Sequence, residues 1–542
     1  MQIDKLRIKN FKCYKNWFEI NFNKDMNILV GNNGAGKTTI LEAINLVLTG
    51  YYKGKNIKNN ISQYLFNNDV VKEYINEVSD EKSPDLPEII IEAYLSDDIP
   101  EFLGDNNSLK LKNKPGVKLS IHFDEAYGKE YSLLDKKNLI SLPLEYYTVT
   151  WESFSRQTIT SRSIPLKASY INANASRNGS NLYVDSVVKN MLSDSDIVNI
   201  SQVYRRVNDR FLQESNIHEI NNRIREGTGN NYSITVNYGN NDSWWNNIAT
   251  QLDDVIYDNI GQGNQCMMKT DLAIKNIDDK KRVLLFEEPE CHLSNSYLNR
   301  IIYNIEHARD SKQVFITTHS SFVANKLGLS SIIMVNQNLW TSFSSLKKDT
   351  FDFFKKISGY DTLRMILSKK VVLVEGDSDE LVLQRAYLDR TNRLPIHDNI
   401  DIISVGTSFL RFLEIAEKLN INTIVVKDND GKVSTLKNSF KEYLDENQKE
   451  FINICYDIEE HDYNGKIENY NNNTLEPCII RANSLHSLNK ILDKNFENED
   501  DLCLYMKNNK TSVALAIFNN PEKINYPQYI NDAIDLLCKK DD

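Results

Sequence analysis

Gly31-Asn32-Asn33-Gly34-Ala35-Gly36-Lys37-Thr38 reads GNNGAGKT. The run before it, Met26-Asn27-Ile28-Leu29-Val30, is strand-like, and the run after it, Thr39 to Leu48, is helix-like. Strand, glycine-rich loop and helix in that order form a phosphate cradle. The glycines let backbone N–H groups converge on phosphate oxygens, and the helix points its positive end at them. Asn33, Gly34, Gly36, Lys37, Thr38 and Thr39 are the expected nucleotide contacts. Lys37 reaches the β- and γ-phosphates, and the Thr38 hydroxyl holds Mg²⁺.

Working outward, the chain has 542 residues, too many for one core, and about two to four domains are expected. A composition of 41% hydrophobic and 26% charged residues is that of a soluble globular protein. No apolar run reaches the roughly eighteen residues that a membrane span needs. The opening MQIDKLRIKNFKCY alternates like a strand and lacks the continuous apolar stretch of a signal peptide. The seven cysteines (Cys13, Cys266, Cys291, Cys455, Cys478, Cys503 and Cys538) are scattered, with no CxxC pair. A reducing cytoplasm is the expected location, without a disulfide framework or a zinc site. The net charge of −11 argues against a uniformly nucleic-acid-coated protein, yet it permits a local basic groove.

The hydrophobic pattern divides the chain into an N-terminal nucleotide-binding part (1–150), an inserted helical or dimerisation region (151–255), a second nucleotide-binding part (256–345) and a C-terminal unit (366–542). Helical runs are expected near 184–225, and the Asn/Gly-rich stretch Arg223–Trp245 reads as a hairpin or loop. Arg282–Phe286 and Gln313–Thr318 are buried-strand runs separated by a helix-like stretch at 294–310, which implies a parallel sheet. The sheet pattern is expected to lapse between 335 and 368. It restarts at Lys370–Val374, followed by helix 379–390, strand 401–406, helix 408–419 and strand 423–426.

The second nucleotide-binding part carries an acidic pair. Glu287 ends a hydrophobic strand and suits a Mg²⁺ ligand, and Glu288 suits the residue that orients the attacking water. His319, ending the next strand, suits a γ-phosphate sensor. The segments IDKLRIKNFKCY, GNNGAGKTTILEAI, VLLFEEPECHLS and FITTHS resemble the ABC-type ATPase heads of the RecF/SMC/Rad50 group. That resemblance implies a mixed sheet with an inserted lobe and a helical region, and heads that sandwich ATP as a homodimer or higher homo-oligomer. Gly261-Gln262-Gly263-Asn264-Gln265 stands where the signature segment of such heads belongs, without its usual serine-rich form. Glu287 stands where most such heads carry Asp.

The C-terminal unit carries a second constellation. Glu375 ends a strand, and Asp379 lies in the first turn of the following helix. Asp428 and Asp430 follow another strand on alternate residues. All can reach the crevice at the carboxyl ends of the strands. Carboxylates gathered in one place stay ionised only when a divalent cation neutralises them, and oxygen-only ligands favour Mg²⁺ or Mn²⁺.

The pattern VVLVEGDSDE … TIVVKDNDG resembles a Rossmann-like TOPRIM domain with a parallel sheet. With SVGTSFLRFLEIAEKL, Asn473–Pro477 and Tyr505–Thr511, it resembles the OLD (overcoming lysogenisation defect) family, in which an ABC ATPase head is fused to a TOPRIM nuclease. The resemblance implies that Glu375, Asp379, Asp428, Asp430 and Glu476 are metal ligands, one of them also a general base. It implies that Lys510 stabilises charge on the phosphate. Lys427, before the DND, either touches DNA or points outward.

The expected activity is ATP-regulated, metal-dependent cleavage or nicking of DNA in anti-phage defence, in some relatives beside a helicase or a reverse transcriptase (retron) component. RNA or tRNA is the alternative substrate. A topoisomerase, for which no tyrosine has a discriminating context, and a non-nucleolytic ATP switch remain as further classes. A primase would carry a zinc module, which the cysteine spacing does not support.

Overall fold

The computed structural model describes residues 1–80, 84–134, 139–172, 192–228, 230–236, 250–275, 282–291, 293–309, 312–356 and 360–539. Its principal elements run in chain order as follows. β1 (Ile3–Lys9), β2 (Phe18–Asn21), β3 (Met26–Val30) and α1 (Lys37–Thr49) come first. β4 (Ile89–Leu95), β5 (Lys114–Phe123), β6 (Tyr147–Ser153), β7 (Thr158–Ile159) and β8 (Lys167–Asn172) follow, then the helices α2 (Asp194–Gln213), α3 (Ser215–Thr228) and α4 (Gln262–Lys275). β9 (Arg282–Glu287), α5 (Asn295–Ala308), β10 (Gln313–Thr318), α6 (Ser321–Leu327), β11 (Ile332–Asn336) and β12 (Leu339–Ser342) complete the first unit. α7 (Lys348–Lys356) and α8 (Tyr360–Leu367) lead to β13 (Lys370–Val374), α9 (Asp377–Thr391), β14 (Ile400–Ser404), α10 (Phe409–Leu419), β15 (Asn422–Val426) and β16 (Ile452–Cys455). α11 (Leu475–Ala482), α12 (Lys510–Asn519) and α13 (Gln528–Cys538) close the chain.

Two sheets sandwich α1. One is antiparallel, in the order β7-β6-β5-β4-β1-β2. The other runs β8-β9-β10-β3-β11-β12 and is parallel except for the last pair. α1 is apolar on nearly all sides (Ile40, Leu41, Ile44, Leu46, Val47 and Leu48 are buried), as a helix covered on both faces must be. A third sheet, β14-β13-β15-β16, is wholly parallel and carries helices as crossovers. The fold is α/β: a nucleotide-binding unit with one antiparallel and one mixed sheet, followed by a Rossmann-like unit with a parallel sheet.

Several sequence expectations shift. The boundary at 150 falls inside β6, and β8 lies in the span expected to be an inserted helical region, yet it is the edge strand of the nucleotide-binding sheet. Its sequence, KASYIN, alternates half-buried and buried residues, so it lacks the continuous apolar run of its neighbours. The sheet does not lapse at 335, because β12 pairs antiparallel with β11 as far as Ser342. The expected loop from Arg223 begins as helix, since α3 runs to Thr228. The stretches 184–191 and 237–245 of the helical and hairpin expectations lie outside the described residues.

The two units share one hydrophobic core. Buried residues of the nucleotide-binding sheet (Ile28, Leu284, Ile316 and Met334) belong to the same cluster as Val371, Leu373, Phe412 and Leu413 of the C-terminal unit. Phe354 of α7 meets Phe343 and Phe412 edge-on, with ring centroids 5.8 and 5.1 Å away. Buried Glu414 of α10 accepts from the Lys347 N–H and the Thr350 hydroxyl, both at 2.6 Å, and the Asn336 amide donates to Leu419 O at 2.8 Å. Truncation of Phe412 to alanine leaves a cavity at this seam and is expected to cost about 3–5 kcal/mol of stability, read as a lower urea midpoint with one transition retained. An unchanged midpoint would mean the seam is not packed as described.

Candidate functional site

The first centre forms where β3 meets α1. Every residue of β3 is buried, so the strand holds the loop rigidly at its carboxyl end. Gly34 (φ 80°) and Gly36 (φ 97°) adopt the left-handed region that glycine tolerates. A β-carbon at Gly36 would also lie 2.3 Å from the Tyr14 hydroxyl. The Lys37 ammonium donates to Gly31 O at 2.8 Å and Asn32 O at 2.9 Å. Burial lowers its pKa to about 8, against the opposing pull of Glu288 and Glu290. Asn33 and Gly34 are exposed at the loop tip, while Thr39 is buried, with its hydroxyl 3.4 Å from Cys13 Sγ.

Opposite the loop stand the carboxyl ends of β9 and β10. The Thr38 hydroxyl donates to Glu287 Oε1 at 2.6 Å. Glu287 Oε2 accepts from the Tyr170 hydroxyl and the Asn172 amide, both on β8, whose register sets Asn172 beside Glu287. Burial beside this carboxylate raises the Tyr170 pKa, so its hydroxyl stays a donor. Glu288 has φ 46°, and its N–H donates to Thr317 O at 2.9 Å. That backbone turn aims its carboxylate across to His319, with Oε1 3.6 Å from Nε2. The His319 pKa is lowered, first by burial and then by Lys37, with Glu288 opposing. Glu290 Oε1 accepts from the Thr318 hydroxyl (2.7 Å) and the His319 N–H (2.9 Å), fixing the strand end that carries the histidine.

Tyr170, Asn172 and Glu290 escaped the sequence reading. Glu290 stood in plain view within EEPE, two residues past Glu288. Tyr170 and Asn172 are brought to Glu287 by strand pairing alone, and nothing local to them signals it.

The second centre lies at the carboxyl ends of β13 and β15. Glu375 follows β13, and Asp428 and Asp430 follow β15. These three bring carboxylate oxygens within 4.8 Å of one another. Asp379, in the first turn of α9, accepts from the Gly376 N–H at 3.0 Å. Burial raises its pKa to about 6, with Glu476 and Glu375 adding to the rise. The pKa of Asp428 rises to about 7, from burial first and then from Asp430 and Asp379. Asp428 Oδ2 also accepts from the Leu475 N–H at 3.2 Å, which ties the start of α11, and hence Glu476, to the cluster. Buried Glu476 sits 3.3 Å from the ammonium of half-exposed Lys510, at the start of α12.

The oxygen-only donors, their mutual repulsion and their partial burial fit a hard divalent cation. Lys427 neither points outward nor stands apart from the acids. Its ammonium contacts Glu375 Oε2 and lies 3.4 Å from Asp430 Oδ2 and 3.8 Å from Asp428 Oδ1. No helix among the described residues is long and apolar enough to cross a membrane.

Comparison with known proteins agrees with this division. Residues 1–258 match the AAA ATPase domain family. Residues 366–430 match the overcoming lysogenization defect protein-like TOPRIM domain. Endonuclease GajA of Bacillus cereus (strain HuB5-5) is 21% identical, with 99% of this chain and 96% of the relative covered. Endonuclease GajA of Bacillus cereus (strain VD045) is 22% identical over 82% of this chain and 78% of its own. Among solved structures, the Smc head domain from Pyrococcus furiosus, bound to the C-terminal domain of ScpA, aligns with a TM-score of 0.34 at 13% identity, over 66% of this chain and 99% of that one. The chain thus carries an ATPase domain match up to residue 258 and an overcoming lysogenization defect protein-like TOPRIM match on the β13–β15 unit, and it is similar along most of its length to relatives named as endonucleases.

Proposed function

We propose that this chain is an ATP-regulated, divalent-metal-dependent endonuclease that cleaves or nicks DNA in anti-phage defence. The observation that carries the reading is the convergence of Glu375, Asp428 and Asp430, with Asp379, Glu476 and Lys510 close behind, in a unit that shares its core with a complete phosphate-binding head. The relatives named as endonucleases support cleavage, and the defence role rests on family resemblance.

At the head, the chain's own groups divide the work of phosphoryl transfer. The loop amides and Lys37 hold the triphosphate, and the phosphate charge replaces the carbonyl contacts Lys37 now makes. Thr38 and Glu287 hold Mg²⁺, with Tyr170 and Asn172 fixing the longer carboxylate that stands in place of the usual Asp. Glu288 orients water, and His319, braced by Glu290, senses the γ-phosphate. Two heads acting as a homodimer would complete each site from the segment Gly261–Gln265, which leads into the first turn of α4.

At the TOPRIM centre, Glu375, Asp379, Asp428, Asp430 and Glu476 hold the metal. A divalent cation there supplies charge neutralisation and Lewis acidity toward a phosphodiester. Lys510 donates to the phosphate oxygen on which charge accumulates, and Glu476 keeps its ammonium aimed at the site. α8 conveys the state of the head: it packs on α6, just past His319, and on β3. Its Arg364 pairs with Asp401 of β14 at 3.0 Å.

Purified protein incubated with supercoiled plasmid or labelled tRNA, with Mg²⁺ or Mn²⁺ and with or without ATP, tests the reading. Metal-dependent conversion of plasmid is expected. Cleavage of tRNA alone would move the substrate to RNA, and no cleavage of either would end the nuclease assignment. Asp428→Ala is expected to abolish cleavage while ATP hydrolysis continues, and joint loss of both would argue against separate centres. Lys37→Ala is expected to remove nucleotide binding, measured by filter retention of labelled ATP. Glu288→Gln is expected to bind ATP and stall, so normal turnover in that variant would refute its role. Tyr170→Phe removes one donor from Glu287 and is expected to raise the Mg²⁺ concentration needed for half-maximal ATP hydrolysis about tenfold, leaving nucleotide binding intact.

A further inference from the structure

The TOPRIM carboxylates hold a cation of the chain's own. Lys427 Nζ touches Glu375 and lies 3.4 and 3.8 Å from Asp430 and Asp428, the same residues whose oxygens cluster within 4.8 Å. Its backbone is fixed, since the N–H donates to Cys455 O on β16 at 3.1 Å. Its ammonium also lies 5.9 Å from the centre of the Phe409 ring. The side chain is 19% exposed, so it is held inside the crevice rather than laid over it.

An ammonium and a divalent ion compete for one set of carboxylate oxygens, because like charges held this close repel each other. A four-carbon stem with free rotors lets the lysine leave without moving the backbone. Once out, the ammonium needs another anion, and the nucleic-acid backbone is the anion this crevice receives.

We propose that Lys427 is a tethered competitor for the TOPRIM metal site: it neutralises Glu375, Asp428 and Asp430 in the resting enzyme, and it yields to the divalent ion when a phosphodiester arrives to accept its charge. The inference rests on the metal-site reading above. It adds that metal affinity is weak without substrate and is raised by substrate through this one side chain. Lys427 is thus a specificity-determining residue that discourages metal loading away from nucleic acid.

Mn²⁺ binding to the full-length, nucleotide-free protein, counted by electron paramagnetic resonance of free Mn²⁺, tests this without reference to turnover. Lys427→Met is expected to bind Mn²⁺ at least tenfold more tightly than the wild type, and Lys427→Arg to remain weak. A phosphorothioate oligonucleotide is expected to tighten Mn²⁺ binding to the wild type and to leave Lys427→Met little changed. Lys427→Gln repeats the test with a polar side chain, and ATP hydrolysis at the separate head reports that each variant is folded. Equal or weaker binding in both Lys427→Met and Lys427→Gln would overturn the proposal. In that case plasmid cleavage by the wild type, lost in Asp428→Ala, would leave the nuclease reading standing. Mn²⁺ binding unaltered by Asp428→Ala would place the ion elsewhere and overturn both.

Discussion

Negative side chains brought together out of bulk water repel one another, and both centres of this molecule are arranged around that repulsion. At the head, Glu287 is relieved by hydroxyl and amide donors from α1 and β8. At the TOPRIM crevice, Lys427 relieves Glu375, Asp428 and Asp430, and Lys510 pairs with Glu476. The second solution is incomplete. The pKa values of Asp379 and Asp428 still stand well above the usual carboxylate range. Such a site is poised to take up positive charge from outside, which is the property that phosphodiester chemistry requires.

The parallel sheets explain where the acids gather. Crossover helices return each strand in the same direction, so residues just past successive strands meet on one edge. Glu287 meets Thr38 and His319 meets Glu288 in this way, and Glu375 meets Asp428 and Asp430. The two centres use the same geometric device in two sheets that share a core, and α8 touches both sheets.

Much of this was legible in the sequence because its signals are local. A glycine-rich loop between a strand and a helix, or an acid just past a buried strand, carries its own context. What was not legible depends on pairing between distant strands. The half-buried alternation of β8 hid a strand of the nucleotide-binding sheet, and with it the donors Tyr170 and Asn172. Lys427 was visible as an odd residue before DND, but its direction is set by the carboxylate of Glu375, 52 residues earlier in the chain. The continuation of the first sheet through β12 was missed because that edge strand is four residues long and mostly half-exposed.

The seam between the units has a practical corollary. α10 belongs by sequence to the TOPRIM half, yet Phe412 faces α7 and the end of α10 is tied to Asn336 of the head. Expressed alone, residues 366–542 would present that apolar face to water and become sticky rather than well behaved. A protein joined in this manner does not divide into two separately folding halves, because a cut at the seam exposes the core that both share.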